Sequence, residues 1–158
     1  MRRWYGRSAR APRAAAILAP IRGITFAIPL ATLAVVACAA PVPEADITKG
    51  QIRADMREYA MGLTSAEVRG GTVTFIARNA GSMVHDLVVI RTDLAPDMLP
   101  VDAQTQKAKE DGKQGAVDQI APGKSANLRL ELPSGAYVVI CNVPTHYQLG
   151  MRSALTVK

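Results

Sequence analysis

Cys141, His146 and Met151 stand in one short stretch, Cys141-Asn-Val-Pro-Thr-His146-Tyr-Gln-Leu-Gly-Met151, and the only other histidine, His85, lies far upstream on an apolar run. One thiol, two imidazoles and a thioether make the ligand set of a mononuclear copper electron-transfer site, trigonal His2Cys with a weak axial Met. The chain has two His and two Cys, and Cys38 falls within what reads as a targeting leader. Every His and the one remaining Cys therefore enter a single constellation. A hard cation would ask for several carboxylates, and only Asp86 adjoins a candidate ligand.

Other metal chemistries fit less well. Structural zinc sites rarely use a thioether, and catalytic zinc sites keep a position open for water. A dinuclear copper centre wants a second cysteine in the loop, where position 145 is Thr. Multicopper enzymes need further histidines and a second domain, so no enzymatic turnover is expected. Taken singly, each residue has a plainer reading: a strand histidine as a structural group, a Cys after Tyr-Val-Val-Ile as an inert buried side chain, a Met as core filler. All of these would have to hold at once for the metal reading to fail.

Cu(I) and Cu(II) prefer different geometries, so fast electron transfer needs ligands held by the protein, and strand ends supply that rigidity. His85 comes from a strand near a turn, and Cys141 ends another. His146 and Met151 follow in a tight loop carrying Pro144 and Gly150. The surrounding chain is punctuated by turns every ten residues or so, the spacing of a small β-sandwich. Ile52, Ala54 and Met56 alternate with Arg53, Asp55 and Arg57, a half-buried strand running on toward Met61. Further strands are expected at Thr72–Arg78, Val84–Ile90, Val117–Ile120, Ala126–Leu132 (with Leu128, Leu130 and Leu132 inward), Ala136–Cys141 and Ser153–Val157. The fold class is all-β with about eight strands. Residues 93–115 are the exception, a short helical or irregular excursion: Ala103–Lys109 consists of helix-tolerant residues, and Leu94, Met98, Leu99 and Val101 are expected to lap over the barrel edge.

With these residues in view, the chain over Ile52–Lys158 resembles the cupredoxins, the family of plastocyanin, azurin, auracyanin, rusticyanin and sulfocyanin. The Cys-x4-His-x4-Met spacing is similar to the auracyanin and rusticyanin pattern and longer than those of plastocyanin and azurin. Glu58-Tyr59 at the close of the first strand, Gly71-Thr-Val-Thr-Phe75, Asn79-Ala-Gly-Ser-Met-Val-His85 and Gly150-Met-Arg-Ser-Ala-Leu-Thr-Val157 also match. The resemblance implies a Greek-key β-sandwich binding one type 1 copper ion, with His85, Cys141 and His146 as equatorial ligands and Met151 axial. Asp86 and Asn142, which follow His85 and Cys141, are expected as hydrogen-bonding neighbours of the ligands. Asp86 departs from the Asn that azurin and plastocyanin place there to tie the ligand loops together. The resemblance further implies that His146 reaches the surface through an apolar patch of Val143, Pro144, Tyr147, Leu149 and Met83. The implied role is a one-electron carrier between redox partners, a cytochrome or membrane oxidoreductase; the alternative is a periplasmic copper-binding or delivery protein.

The formal charge of +6 invites a nucleic-acid reading, but Arg2, Arg3, Arg7, Arg10, Arg13 and Arg22 all precede Cys38, with no acidic residue among them. Removing those six from the 19 basic residues leaves 13, against 13 acidic ones. The remainder is formally neutral and offers no basic patch for nucleic acid. Behind the arginines, Ile24–Ala37 is apolar, short of the ~20 residues that span a bilayer, and broken by Pro29. Residues 1–38 read as an export signal. Val35-Val36-Ala37-Cys38 resembles a bacterial lipobox, which would make Cys38 the lipidated first residue of the mature chain. Two other readings stand beside it: cleavage after Ala39, which discards the cysteine, and an uncleaved anchor. Residues 39–51 have linker composition and 52–158 form the domain. The expectation is a monomer in the periplasm or cell envelope, touching the membrane only through a lipid anchor. An odd thiol in an oxidising compartment calls for an occupant, and a metal on Cys141 provides one.

Overall fold

A computed structural model describes residues 45–158. The expected export signal, Cys38 and the first part of the linker lie outside the described residues. The last part of that linker is ordered into the domain: Asp46 caps a 3-10 turn over Ile47–Lys49, and Gln51 is already paired in the first strand. Among the described residues no helix is long and apolar enough to cross a membrane.

Two sheets carry the chain, nine strands among the described residues. One sheet contains β1 (Gln51–Arg57), β2 (Ala60–Leu63), β4 (Gly71–Asn79) and β7 (Ser125–Leu132), in the order β2-β1-β4-β7. The other contains β3 (Glu67–Val68), β5 (His85–Arg91), β6 (Lys113–Ile120), β8 (Gly135–Ile140) and β9 (Arg152–Val157), in the order β3-β9-β8-β5-β6. The alternation seen in the sequence holds along β1, where Ile52, Ala54 and Met56 are fully buried. The chain does not run on to Met61, however. It reverses at Glu58-Tyr59, and β2 returns antiparallel to β1 with Met61 opposite Met56. The returning β2 and the short β3 are the two strands that the expected segments did not include.

The inner faces meet through Ile52, Met56, Val73 and Phe75 on one side and Leu87, Val89, Tyr137, Val139 and Leu155 on the other. Cys141 and Met151 belong to the same apolar cluster, so two candidate ligands are rooted in the core. Leu128 and Leu130 pack against it from β7 while remaining partly exposed, and Leu132 is buried.

The central strands of the second sheet are buried on both faces. Val88 and Ile90 of β5, with Val138 and Ile140 of β8, form a second cluster on the outer face with Leu99, Ala108 and Tyr147. Their cover is the 93–115 excursion, and it contains no helix: it is a series of turns with one isolated bridge, Val101 to Ala108, and its end from Lys113 is the first part of β6. Residues 103–109 are helix-tolerant, yet a short helix in water is marginal without packing, and here the backbone groups bond within the excursion's own turns and, at Gln106 and Ala108, to the neighbouring loop. Of the four apolar residues expected to lap the edge only Leu99 is buried; Leu94, Met98 and Val101 are exposed.

Phe75 is fully buried between the sheets. Phe75→Ala is expected to lower the unfolding free energy of the metal-free domain by about 3–5 kcal/mol, read by chemical denaturation.

Candidate metal centre

The site lies at the end of the sandwich where β5 begins and β8 stops. The turn ahead of β5 is pinned by Asn79, whose Nδ2 donates to Met83 O (2.7 Å) and Ile120 O (2.8 Å) while its Oδ1 accepts from Gly81 N (2.9 Å). Glu58 Oε1 accepts from Ser82 N (2.9 Å) and Met83 N (2.6 Å). His85 follows directly. A register shift between His85 and Leu87 turns both His85 and Asp86 into the protein, as bulges beside functional sites do.

Cys141 stands just past β8, and its N–H donates to Met151 O (3.0 Å) while Met151 N donates to His146 O (3.1 Å). The ten-residue span between Cys141 and Met151 is thus closed by its own backbone. Within it Thr145 takes a left-handed conformation (φ 71°), and one helical turn, α1 (His146–Leu149), follows. Gly150 then has φ 123°, and a Cβ there would sit 2.9 Å from Tyr59 O. Only glycine meets both demands.

These elements bring three donor atoms together. His85 Nδ1 and His146 Nδ1 are 3.3 Å apart, and Cys141 Sγ lies 3.7 Å from the first and 3.5 Å from the second. A point equidistant from all three is about 2.0 Å from each, near the ~2.0–2.3 Å of zinc–imidazole and zinc–thiolate bonds. Ordinary core packing has no reason to converge three lone-pair donors on a centre at bonding distance, so the donor set fits a bound transition metal. All three residues are buried: His85 and Cys141 fully, His146 to within 2%. Met151 is also fully buried, and its backbone bonds to the residues bearing two of the donors.

Burial sets the protonation of the metal-free site. It holds both imidazoles below the ordinary histidine range, with the neighbouring His146 adding to the effect on His85. It pushes the Cys141 thiol up, against the pull of the Asp86 and Val143 N–H groups. Glu58 is held low by backbone N–H groups, its own first and then those of Met83 and Ser82.

The neighbours of the ligands differ from expectation in part. Asp86 approaches Cys141 through its backbone, whose N–H donates to Sγ (3.3 Å), while its carboxylate accepts from Gln119 N (2.9 Å) on β6. The side chain therefore ties β5 to β6 rather than joining the two ligand loops. Asn142 makes the tie to the excursion: Oδ1 accepts from Ala108 N (2.8 Å), and Nδ2 donates to Ala108 O (3.0 Å) and Glu110 Oε1 (2.7 Å). Thr145 N donates to Gln106 O (2.9 Å), and Leu99 N donates to the Tyr147 hydroxyl (2.8 Å). Tyr147, expected on the surface patch, is instead buried beneath the excursion.

His146 does not reach the surface. The Tyr59 ring stands edge-on to it, centroids 5.3 Å apart, and is itself 41% exposed. With Met83 and Leu149 exposed nearby in the chain, the apolar rim contains a residue that the sequence had marked only as a family match. The other residue missed is Glu58, whose Oε1 lies 3.3 Å from His85 Nε2. That contact is off the line of a good hydrogen bond, and Nε2 has no other partner among the described residues.

Residues 50–158 match the family model of copper binding proteins of the plastocyanin/azurin family. Among solved structures the chain is similar to auracyanin B, with 22% identity, a TM-score of 0.52, and coverage of 68% of this chain and 86% of that one. It also matches reduced auracyanin from Roseiflexus castenholzii (23% identity, TM-score 0.48, 68% and 94% covered) and rusticyanin from Thiobacillus ferrooxidans (18%, 0.47, 68% and 76%). At these identities the likeness concerns the fold, and the auracyanin B superposition carries it. No curated protein sequence matches the chain significantly.

Asn142 satisfies both backbone groups of buried Ala108. Asn142→Ala is expected to cost about 1–3 kcal/mol by leaving them unpaired, and to raise amide hydrogen exchange at Ala108 and Thr145 well above that at Val89 in the core. Equal protection in variant and wild type would show that the excursion holds without this tie.

Proposed function

The chain belongs to the plastocyanin/azurin family of copper binding proteins, the cupredoxins, and on that premise we propose that it is a one-electron carrier of the cell envelope, with His85, Cys141 and His146 as equatorial ligands of one type 1 copper ion and Met151 as the axial one. The observation that carries this reading is the triangle of His85 Nδ1, His146 Nδ1 and Cys141 Sγ, closed to bonding distance in a buried pocket. Copper bound there supplies a one-electron couple.

The protein's own residues do the rest. The core fixes Cys141 and Met151, the backbone bonds from Met151 to Cys141 and His146 keep the loop from opening, and the Asn79 network holds His85 in place. A frame of this kind resists rearrangement when the electron count changes. Asp86 N–H points at the sulfur, where a hydrogen bond stabilises thiolate charge and tunes the potential. Burial excludes water from all three donors. It also argues against the alternative of copper delivery, which favours exposed and exchangeable ligands.

The docking edge is the apolar rim of Tyr59, Met83 and Leu149, with Tyr59 between His146 and solvent. A small apolar patch suits brief contacts with a redox partner, and the formal neutrality of the chain beyond Cys38 argues against strong electrostatic steering. The arginine-rich, apolar and lipobox-like leader supports export and lipidation at Cys38, with the domain working as a monomer on its tether.

Cys141→Ser is expected to abolish the intense visible band of the Cu(II) protein, because that band needs copper and thiolate together; a band of undiminished intensity would overturn the assignment. Met151→Leu is expected to keep the band and raise the midpoint potential, since losing a weak donor favours Cu(I), and an unchanged potential would remove Met151 from the ligand set. Copper uptake should also depend on pH. With the free thiol protonated and the imidazoles neutral across the neutral range, binding expels one proton, so apparent Cu(I) affinity rises ~10-fold per pH unit. The dependence steepens once the pH falls through the lowered histidine range. Chelator competition at several pH values measures it, and a flat profile would mean that the thiol is not displaced by the metal.

A further inference from the structure

We propose that Glu58 is a positioning residue of the metal centre: its carboxylate is the acceptor for the Nε2–H of His85, which leaves Nδ1 as the free donor, and its negative charge favours the oxidised ion. The proposal rests on His85 being a ligand and goes beyond the family's four donors.

The histidine side is constrained first. A histidine that binds a metal through one nitrogen carries its proton on the other, and the partner of that N–H fixes both tautomer and ring orientation. His85 Nε2 is buried with no well-aligned hydrogen-bond partner among the described residues, and Glu58 Oε1 stands 3.3 Å from it. The nearest carboxylate in sequence, that of Asp86, is engaged by Gln119 N. With Nδ1 committed to a metal, the Nε2–H has Glu58 as its acceptor.

The carboxylate is also built into place. Oε1 is aimed by the N–H groups of Ser82 and Met83, which open the turn leading to His85. Gly81 faces the carboxylate so closely that a Cβ there would lie 2.5 Å from Oε1 and 2.6 Å from Oε2. The room for Glu58 therefore depends on the absence of a side chain at position 81. The Glu58 side chain is 21% exposed and His85 fully buried, so water screens this charge only in part. The corner between β1 and β2 thus touches both histidines, Glu58 at His85 and its neighbour Tyr59 at His146.

A purely structural role, in which Glu58 only holds the Ser82-Met83 turn, makes a different prediction for two variants. Glu58→Gln retains an oxygen acceptor and removes the charge. Gly81→Ala retains the charge and pushes the carboxylate aside, without altering either partner. Each is compared with wild type by the midpoint potential of the copper-loaded protein and by 15N NMR of the His85 ring in the metal-free protein. Both variants are expected to keep the visible band and show a higher potential, and Gly81→Ala is expected to lose the Nε2–H pattern of the His85 ring. Wild-type potentials in both variants together with an unchanged ring pattern would overturn the proposal while leaving the ligand assignment standing. Absence of the band in wild type itself would overturn the ligand assignment, and this proposal with it. Should Glu58→Gln fail to fold, Gly81→Ala decides alone by the same two readouts.

Discussion

The structure depends on one constraint: three lone-pair donors from separate places in the chain must be held about a common centre without relying on a metal to gather them. His85 and Cys141 are separated by more than fifty residues, and adjacent antiparallel strands bring them together, since β5 and β8 pair through Val88 and Ile140. The ligand loop then closes on itself through the Met151 bonds to Cys141 and His146. Such an arrangement would resist rearrangement of the donors around a bound ion whose electron count changes. The same core that stabilises the sandwich also anchors Cys141 and Met151.

The excursion takes its meaning from that constraint. A sheet whose central strands read Leu-Val-Val-Ile and Tyr-Val-Val-Ile needs cover on both faces. Residues 93–112 give it on the outside and, through Gln106, Ala108 and Glu110, grip the ligand loop at Thr145 and Asn142. One segment both buries the outer face of the sheet and braces the loop that carries Cys141, His146 and Met151.

Much of this was legible in the sequence, and the reasons are physical. Alternation marked β1, the β-branched runs marked β4, β5 and β8, and the scarcity of His and Cys pointed to one site. The three converging donors were readable because their chemistry is rare. Their supports were not, because backbone N–H groups and strand pairing do the supporting. Asp86 was expected as a hydrogen-bonding neighbour of the ligands, yet its carboxylate goes to Gln119 on β6, a choice set by a bulge that no local pattern announces. Tyr147 was placed on the surface because it adjoins a ligand; it is buried because α1 turns it beneath the excursion. The unbroken apolar runs of β5 and β8 did contain a signal that something must lie over them, and among the described residues the excursion is the long segment between strands that does so. Glu58 and Tyr59 stood out as a family match, but their approach to the two histidines depends on the sharp reversal into β2, which continued alternation toward Met61 concealed.

X-ray absorption at the copper edge, taken on the same sample oxidised and then reduced, tests most directly whether the frame dictates the site. The expected result is one sulfur at short distance and two imidazole nitrogens in both states, with bond lengths that barely change. Coordination by oxygen and nitrogen alone in Cu(II), or loss of an imidazole on reduction, would contradict a centre built from His85, Cys141 and His146 and held by the sandwich.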